Sequence, residues 1–129
     1  MRRVILLCIV SALLLSMAGC GSIRIPKGEL ALLTYQVPVE GNTARYAETL
    51  PSAESAKLRQ VLMDAKPNPG VAACAFTENI SFTFGDQVFA VAYDGCSVIW
   101  DMNNDKYYVL DQEDWDYIIS LFVNYVGTW

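Results

Sequence analysis

Histidine is missing altogether. Its absence removes the Ser-His-Asp and Cys-His routes to nucleophilic catalysis, the commonest metal ligand, and any general base with an unperturbed pKa near neutrality. No Gly-rich loop of the kind that cradles phosphate occurs, and neither does a Ser-x-x-Lys arrangement. Cys-x-x-Cys spacing is lacking too. The longest apolar run, residues 4–15, falls short of the roughly 20 residues a membrane-spanning helix requires. Basic residues are few. Nine Lys and Arg stand against 14 Asp and Glu, and beyond Lys66 only Lys106 is basic. Phosphate binding requires a basic face, so nucleic acid is not an expected partner.

What is present divides the chain in two. Residues 1–19 are largely apolar, without an acid or an aromatic ring, whereas residues 20–129 hold all seven Tyr, five Phe and three Trp. The second part has the length and composition of a single globular domain with a real core. The first part has a basic end, Arg2-Arg3, then the apolar run, then Ser16-Met17-Ala18-Gly19-Cys20. Small residues before a cysteine in this setting resemble the lipobox of bacterial lipoprotein precursors. Ala18, Gly19 and Cys20 match it, and Met17 replaces the usual Leu.

The resemblance implies diacylglyceryl transfer to Cys20, cleavage after Gly19, and a lipid anchor on the extracytoplasmic side of a cell membrane or outer membrane. Acyl chains contribute about 0.8 kcal/mol per buried CH₂, enough for lasting attachment when two or three are present. The competing readings are a secretory signal cut near Ala18 and an uncut anchor helix. Residues 1–19 are thus read as a signal peptide, 20–29 as the lipidated N-terminus with a short tether, and 30–129 as the extracytoplasmic domain.

With Cys8 in the leader and Cys20 acylated, Cys74 and Cys96 are left in an exported domain. There a disulfide between them is expected, with two free thiols or a redox pair as alternatives. Loss of Arg2 and Arg3 moves the net charge from −5 to about −7. The C-terminal half becomes an acidic surface, repelled by anionic headgroups and open to cationic partners.

The fold class expected is α+β: an antiparallel meander of about five strands with two amphipathic helices packed on one face. Residues 30–37 read as a strand stopped by Pro38, and residues 39–50 as a loop or hairpin arm. Ser52 looks like an N-cap for a helix whose stripe is Leu58, Val61, Leu62 and Ala65, ended by Lys66-Pro67-Asn68-Pro69-Gly70. The meander is read as strands at 71–76, 80–84, 87–93, 96–101 and 106–110, with Asp94-Gly95 as its clearest hairpin signal. A second helix opens on Asp111 with Asp114 three residues on, burying Trp115, Ile118, Ile119, Phe122 and Val126.

Three groupings could carry chemistry. Asp101, Asn103 and Asp105 have the alternating spacing of the first half of an EF-hand calcium loop. Lys106 sits where that loop needs Gly, and Gln112 where it needs a bidentate Glu, so a hairpin turn is the structural reading. Trp100, Tyr107 and Tyr108 lie on adjacent strands, with Tyr93 nearby. They form either a recognition platform for protein or sugar or a cross-strand pack beneath the helices. The clustered carboxylates could in principle hydrolyse a glycoside, but their places in turns and at a helix start account for them. The chain is read as a non-enzyme without a cofactor: a membrane-anchored lipoprotein domain that binds another envelope protein. The alternatives are a module for glycan, peptide or calcium, and a carboxylate hydrolase.

Overall fold

A computed structural model describes residues 21–70 and 72–127. The leader, Cys20 and Val71 lie outside the described residues. The order of elements is β1 (Ala31–Val39), β2 (Asn42–Thr49), α1 (Ser52–Asp64), β3 (Lys66–Asn68), β4 (Ser81–Phe84), β5 (Gln87–Val91), β6 (Val98–Asp101), β7 (Lys106–Val109) and α2 (Gln112–Val126). The strands form one sheet in the order β2-β1-β4-β5-β6-β7-β3, and every pairing is antiparallel. The α+β class stands as expected, with seven strands instead of about five.

Register decides which side is the core. Leu33 pairs with Phe82, Phe82 with Phe89, Val91 with Ile99, and Ile99 with Tyr108. Directly opposed residues share a face, so these form one apolar surface. Leu58 and Leu62 of α1 and Ile118 and Phe122 of α2 join it in a single buried cluster. Both helices therefore cover this face. Phe82 and Phe122 meet at 5.2 Å between ring centres.

The two helices begin differently. Asp111 caps α2 as expected, its carboxylate accepting the Asp114 N–H at 2.8 Å. In α1 Ser52 is the first helical residue, and Pro51 stands at the cap with no side-chain hydrogen bond. The useful hydroxyl is Ser55, fully buried, which accepts the Ala31 N–H at 2.9 Å and donates to the Leu50 carbonyl. It fixes the start of β1 to the start of α1, satisfying backbone groups that would otherwise be stranded out of water. In α2, Leu121 is buried in place of Ile119, which is only half-buried.

Three further expectations are corrected. No strand runs over residues 72–76; the short strand lies earlier, at Lys66–Asn68, pairing with β7. Pro67 has no N–H to offer a neighbour, which confines such a strand to an edge, and β3 is one. Pro38 does not stop β1 either. Beyond Thr34, β1 has no partner on the β4 side and pairs only with β2, so Pro38 takes its place in the outer ribbon opposite Thr43.

The third correction concerns the tether. Ile23 and Ile25 are core residues, each only 3 % exposed. The segment is also tied by its backbone: Arg59 Nε donates to the Ile25 carbonyl at 2.6 Å and Gln87 Nε2 to the Arg24 carbonyl at 3.0 Å. Residues 22–25 belong to the folded domain because alternate positions are isoleucine, and apolar side chains that large do not stay in water when a core lies beside them.

Candidate interaction site

The turn at 101–105 spends its oxygens on itself and its neighbour. The Asp101 carboxylate, 3 % exposed, accepts the N–H groups of Asn103 and Asn104 with one oxygen and the Asn104 amide with the other. Asn103 bridges to the β4–β5 turn, accepting the Val88 N–H at 2.8 Å and donating to the Asp86 carbonyl. Asp105, with φ at 52°, accepts the Trp100 indole N–H at 3.1 Å. Asp101, Asn103 and Asp105 thus face separate partners. The arrangement is a capped hairpin turn of the kind Asp and Asn make. Among the described residues, the one group of metal-ligating side chains that converges is Cys74, Asp94 and Cys96. Its two sulfurs are bonded to each other, which leaves no thiolate for a metal.

The Cys74–Cys96 disulfide is present, with Cα atoms 6.0 Å apart. It clamps residues 72–80 across the sheet face that the helices leave open. Tyr93 N–H donates to the Ala75 carbonyl at 3.0 Å, and Asp94 accepts the Ala75 N–H at 2.8 Å. This segment carries Phe76 onto the aromatic pair below. Trp100 and Tyr107, opposed in the register, stack at 6.0 Å, and Phe76 tilts over both at 5.9 and 5.7 Å. All three are half-buried. Tyr108 points to the other face and is 3 % exposed in the core, so it belongs to no platform with Trp100. Burial and the Asp101 carboxylate push its hydroxyl pKa up. Tyr93 stands alone, half exposed.

Residues 39–50, expected as a loop or hairpin arm, contain β2 and help form a surface with exposed apolar residues. Past Thr34, β1 and β2 continue as a two-stranded ribbon turned by Glu40 and Gly41, both at positive φ. One of its faces carries Tyr35 stacked on Tyr46 at 5.6 Å, then Val37 opposite Ala44, then Val39. Val39 and Tyr46 are 45 and 46 % exposed. A two-stranded ribbon is marginal alone, and β2 is also the long free edge of the sheet. Apolar residues on an exposed free edge are a usual place for another chain to pair.

Asp101, Asp105 and Asp114 do not assemble. Asp101 and Asp105 lie at the β6–β7 turn, whereas Asp114 lies past the opposite end of β7, in α2. There Asp114 shares a small pocket with Asp64 and Asp111. Its pKa is raised by partial burial and then by Asp111, Glu113 and Asp64, with Lys57 opposing. Nearby, the Tyr117 hydroxyl donates to Glu54 at 2.8 Å, and burial with that bond pushes its pKa far above the ordinary tyrosine value. Among the described residues, no helix is long and apolar enough to cross a membrane. Compared with known protein families, curated proteins and solved structures, the chain matches none.

Proposed function

We propose that this chain is a bacterial lipoprotein precursor. Its mature domain is held by acylated Cys20 on the outer side of a cell membrane or outer membrane, and there binds another envelope protein. The observation that carries the reading is the run Arg2-Arg3, residues 4–15, then Met17-Ala18-Gly19-Cys20. A bridged Cys74–Cys96 pair supports it, because disulfides persist in oxidising compartments. The exposed β1–β2 ribbon supports the binding half of the proposal, with an apolar ladder that starts at Tyr35 against the core and ends on exposed Val39 and Tyr46. Catalysis plays no part in this reading, since histidine is absent and Asp101, Asp105 and Asp114 sit apart.

Metabolic labelling with a clickable fatty acid is expected to mark the wild-type product, and Cys20→Ala to lose the mark and accumulate as uncut precursor. A wild-type product left unmarked in the cytosol would end the proposal. For the binding half, a photo-crosslinker at Tyr46 is expected to give one heavier adduct in the native envelope, which the same group at Asp116 does not give. Equal adducts from both positions would count against the ribbon.

A further inference from the structure

We propose that the domain has no working tether and is seated on the phospholipid headgroups by one corner of its sheet, which holds the β1–β2 ribbon at the opposite corner. This rests on the lipoprotein reading above.

Covalent reach comes first. The chain is already committed to the core at Ile23. Only Gly21 and Ser22 separate it from Cys20, and the three steps from Cys20 to Ile23 span about 10 Å when fully extended. Gly21 itself packs close, since a Cβ there would lie 3.4 Å from Pro67 Cγ. An acylated Cys20 therefore draws whatever surrounds Gly21 down to the bilayer.

Topology says what that is. Gly21 borders one groove with Pro67–Gly70 and Lys106–Tyr108, and a second, of about 430 Å³, with Arg24, Asn104 and Lys106. This is the corner where the β3 edge meets the start of β7. The ribbon lies at the other edge of the seven-strand sheet and rises from the other end of the strands, since Ala31 pairs with Phe84 and Thr34 with Ser81 before β1 runs on. Six inter-strand spacings give about 29 Å across, and β1 adds about 26 Å along its length. Sheet twist shortens the diagonal, which leaves the ribbon tip roughly 35 Å from Gly21.

Charge agrees. Exposed Arg24 and Lys106 flank Gly21, placed for headgroup phosphates. The acids beside them are Asp101, whose carboxylate is taken by Asn103 and Asn104, Asp105, whose carboxylate is engaged by the Trp100 indole, and exposed Asp86 on the adjoining β4–β5 turn. The acids Asp64, Asp111 and Asp114 gather past the far end of β7, where anionic lipid would not meet them.

The test uses the processed, fatty-acid-labelled protein, from which the leader and its Cys8 have been removed, in vesicles of phosphatidylethanolamine and phosphatidylglycerol carrying a short-range quencher on the headgroups. Cys20 is acylated and Cys74 is bonded to Cys96, so a cysteine introduced at Pro69, Thr43 or Glu113 is the one free thiol for a fluorophore. The expected result is loss of fluorescence for Pro69→Cys, with Thr43→Cys and Glu113→Cys unchanged. Quenching that is equal at the three positions, or strongest at Thr43, overturns the seating while the lipoprotein reading survives. Protein that carries no fatty acid overturns both.

Discussion

Phe82→Ala is expected to lower the unfolding free energy by about 4 kcal/mol, the usual cost of truncating a fully buried aromatic. Phe82 has no exposed surface. It lies between Leu33 and Phe89 on the central strands and meets the Phe122 ring across the sheet–helix boundary. Removing it opens a cavity bounded by two strands and a helix, none of which can collapse into the gap without breaking its own register. A domain of this size has a total stability on the order of 5–15 kcal/mol, so the loss is a large fraction of what holds it folded. Urea unfolding followed by circular dichroism should show a lower midpoint with an unchanged slope. Tyr46→Ala on the exposed ribbon should stay within about 0.5 kcal/mol of wild type, as surface changes generally do. If the two variants lost similar amounts, the core would not lie between the helices and this face of the sheet.

The parts of the fold that were legible beforehand are those set by local pattern. The stripe Leu58, Val61, Leu62 has helical spacing, and the Asp111 cap has a side chain and a donor three residues apart. The alternation through Phe82 and Phe84 has the period of a strand. Each is a relation between near neighbours. What was not legible depended on distant partners. Pro38 reads as a stop until one knows that β1 has already left β4 behind and needs a partner on one side only. Residues 71–76 are apolar enough for a strand, but Cys74 is bonded to Cys96 and Phe76 lies on Trp100 and Tyr107, so residues 72–76 cross the sheet instead of joining it. Ile23 and Ile25 were visible as alternate apolar positions just past Cys20, a strand-like signal masked by the expectation of a linker.

The aromatic grouping was half legible for the same reason. Adjacent strands bring Trp100 and Tyr107 together, but the parity of the register decides that Tyr108 faces the other way. Asp101, Asn103 and Asp105 were visible as oxygen donors, and only the hydrogen bonds from Asn104, Val88 and Trp100 show where those oxygens go.

Removing the bridge should have an effect second only to the core truncation, and a more local one. Cys74→Ala with Cys96→Ala frees a loop whose ends are 22 residues apart, which in the chain-entropy account costs about 3 kcal/mol through the unfolded state. That figure speaks for the whole domain; the folded state gives a second effect. Residues 72–79 lie outside every strand, and the backbone of Ala75 is bound only through Tyr93 and Asp94. With the sulfurs gone, the Phe76 ring and those two hydrogen bonds are left to hold the segment against the sheet. Local opening should then cost far less than global unfolding. Amide exchange in the double variant is expected to accelerate most across residues 72–79, while β4, β5 and α2 accelerate only by as much as the global stability falls. Adding reductant to the wild-type protein should reproduce the same pattern without any substitution. Trp100 and Tyr107 would lose their cover in both cases, so Trp100 fluorescence, taken as the difference from a Trp100→Phe control, should become more accessible to acrylamide. A uniform rise in exchange over the entire domain would show that the segment is held by the core and not by the bridge.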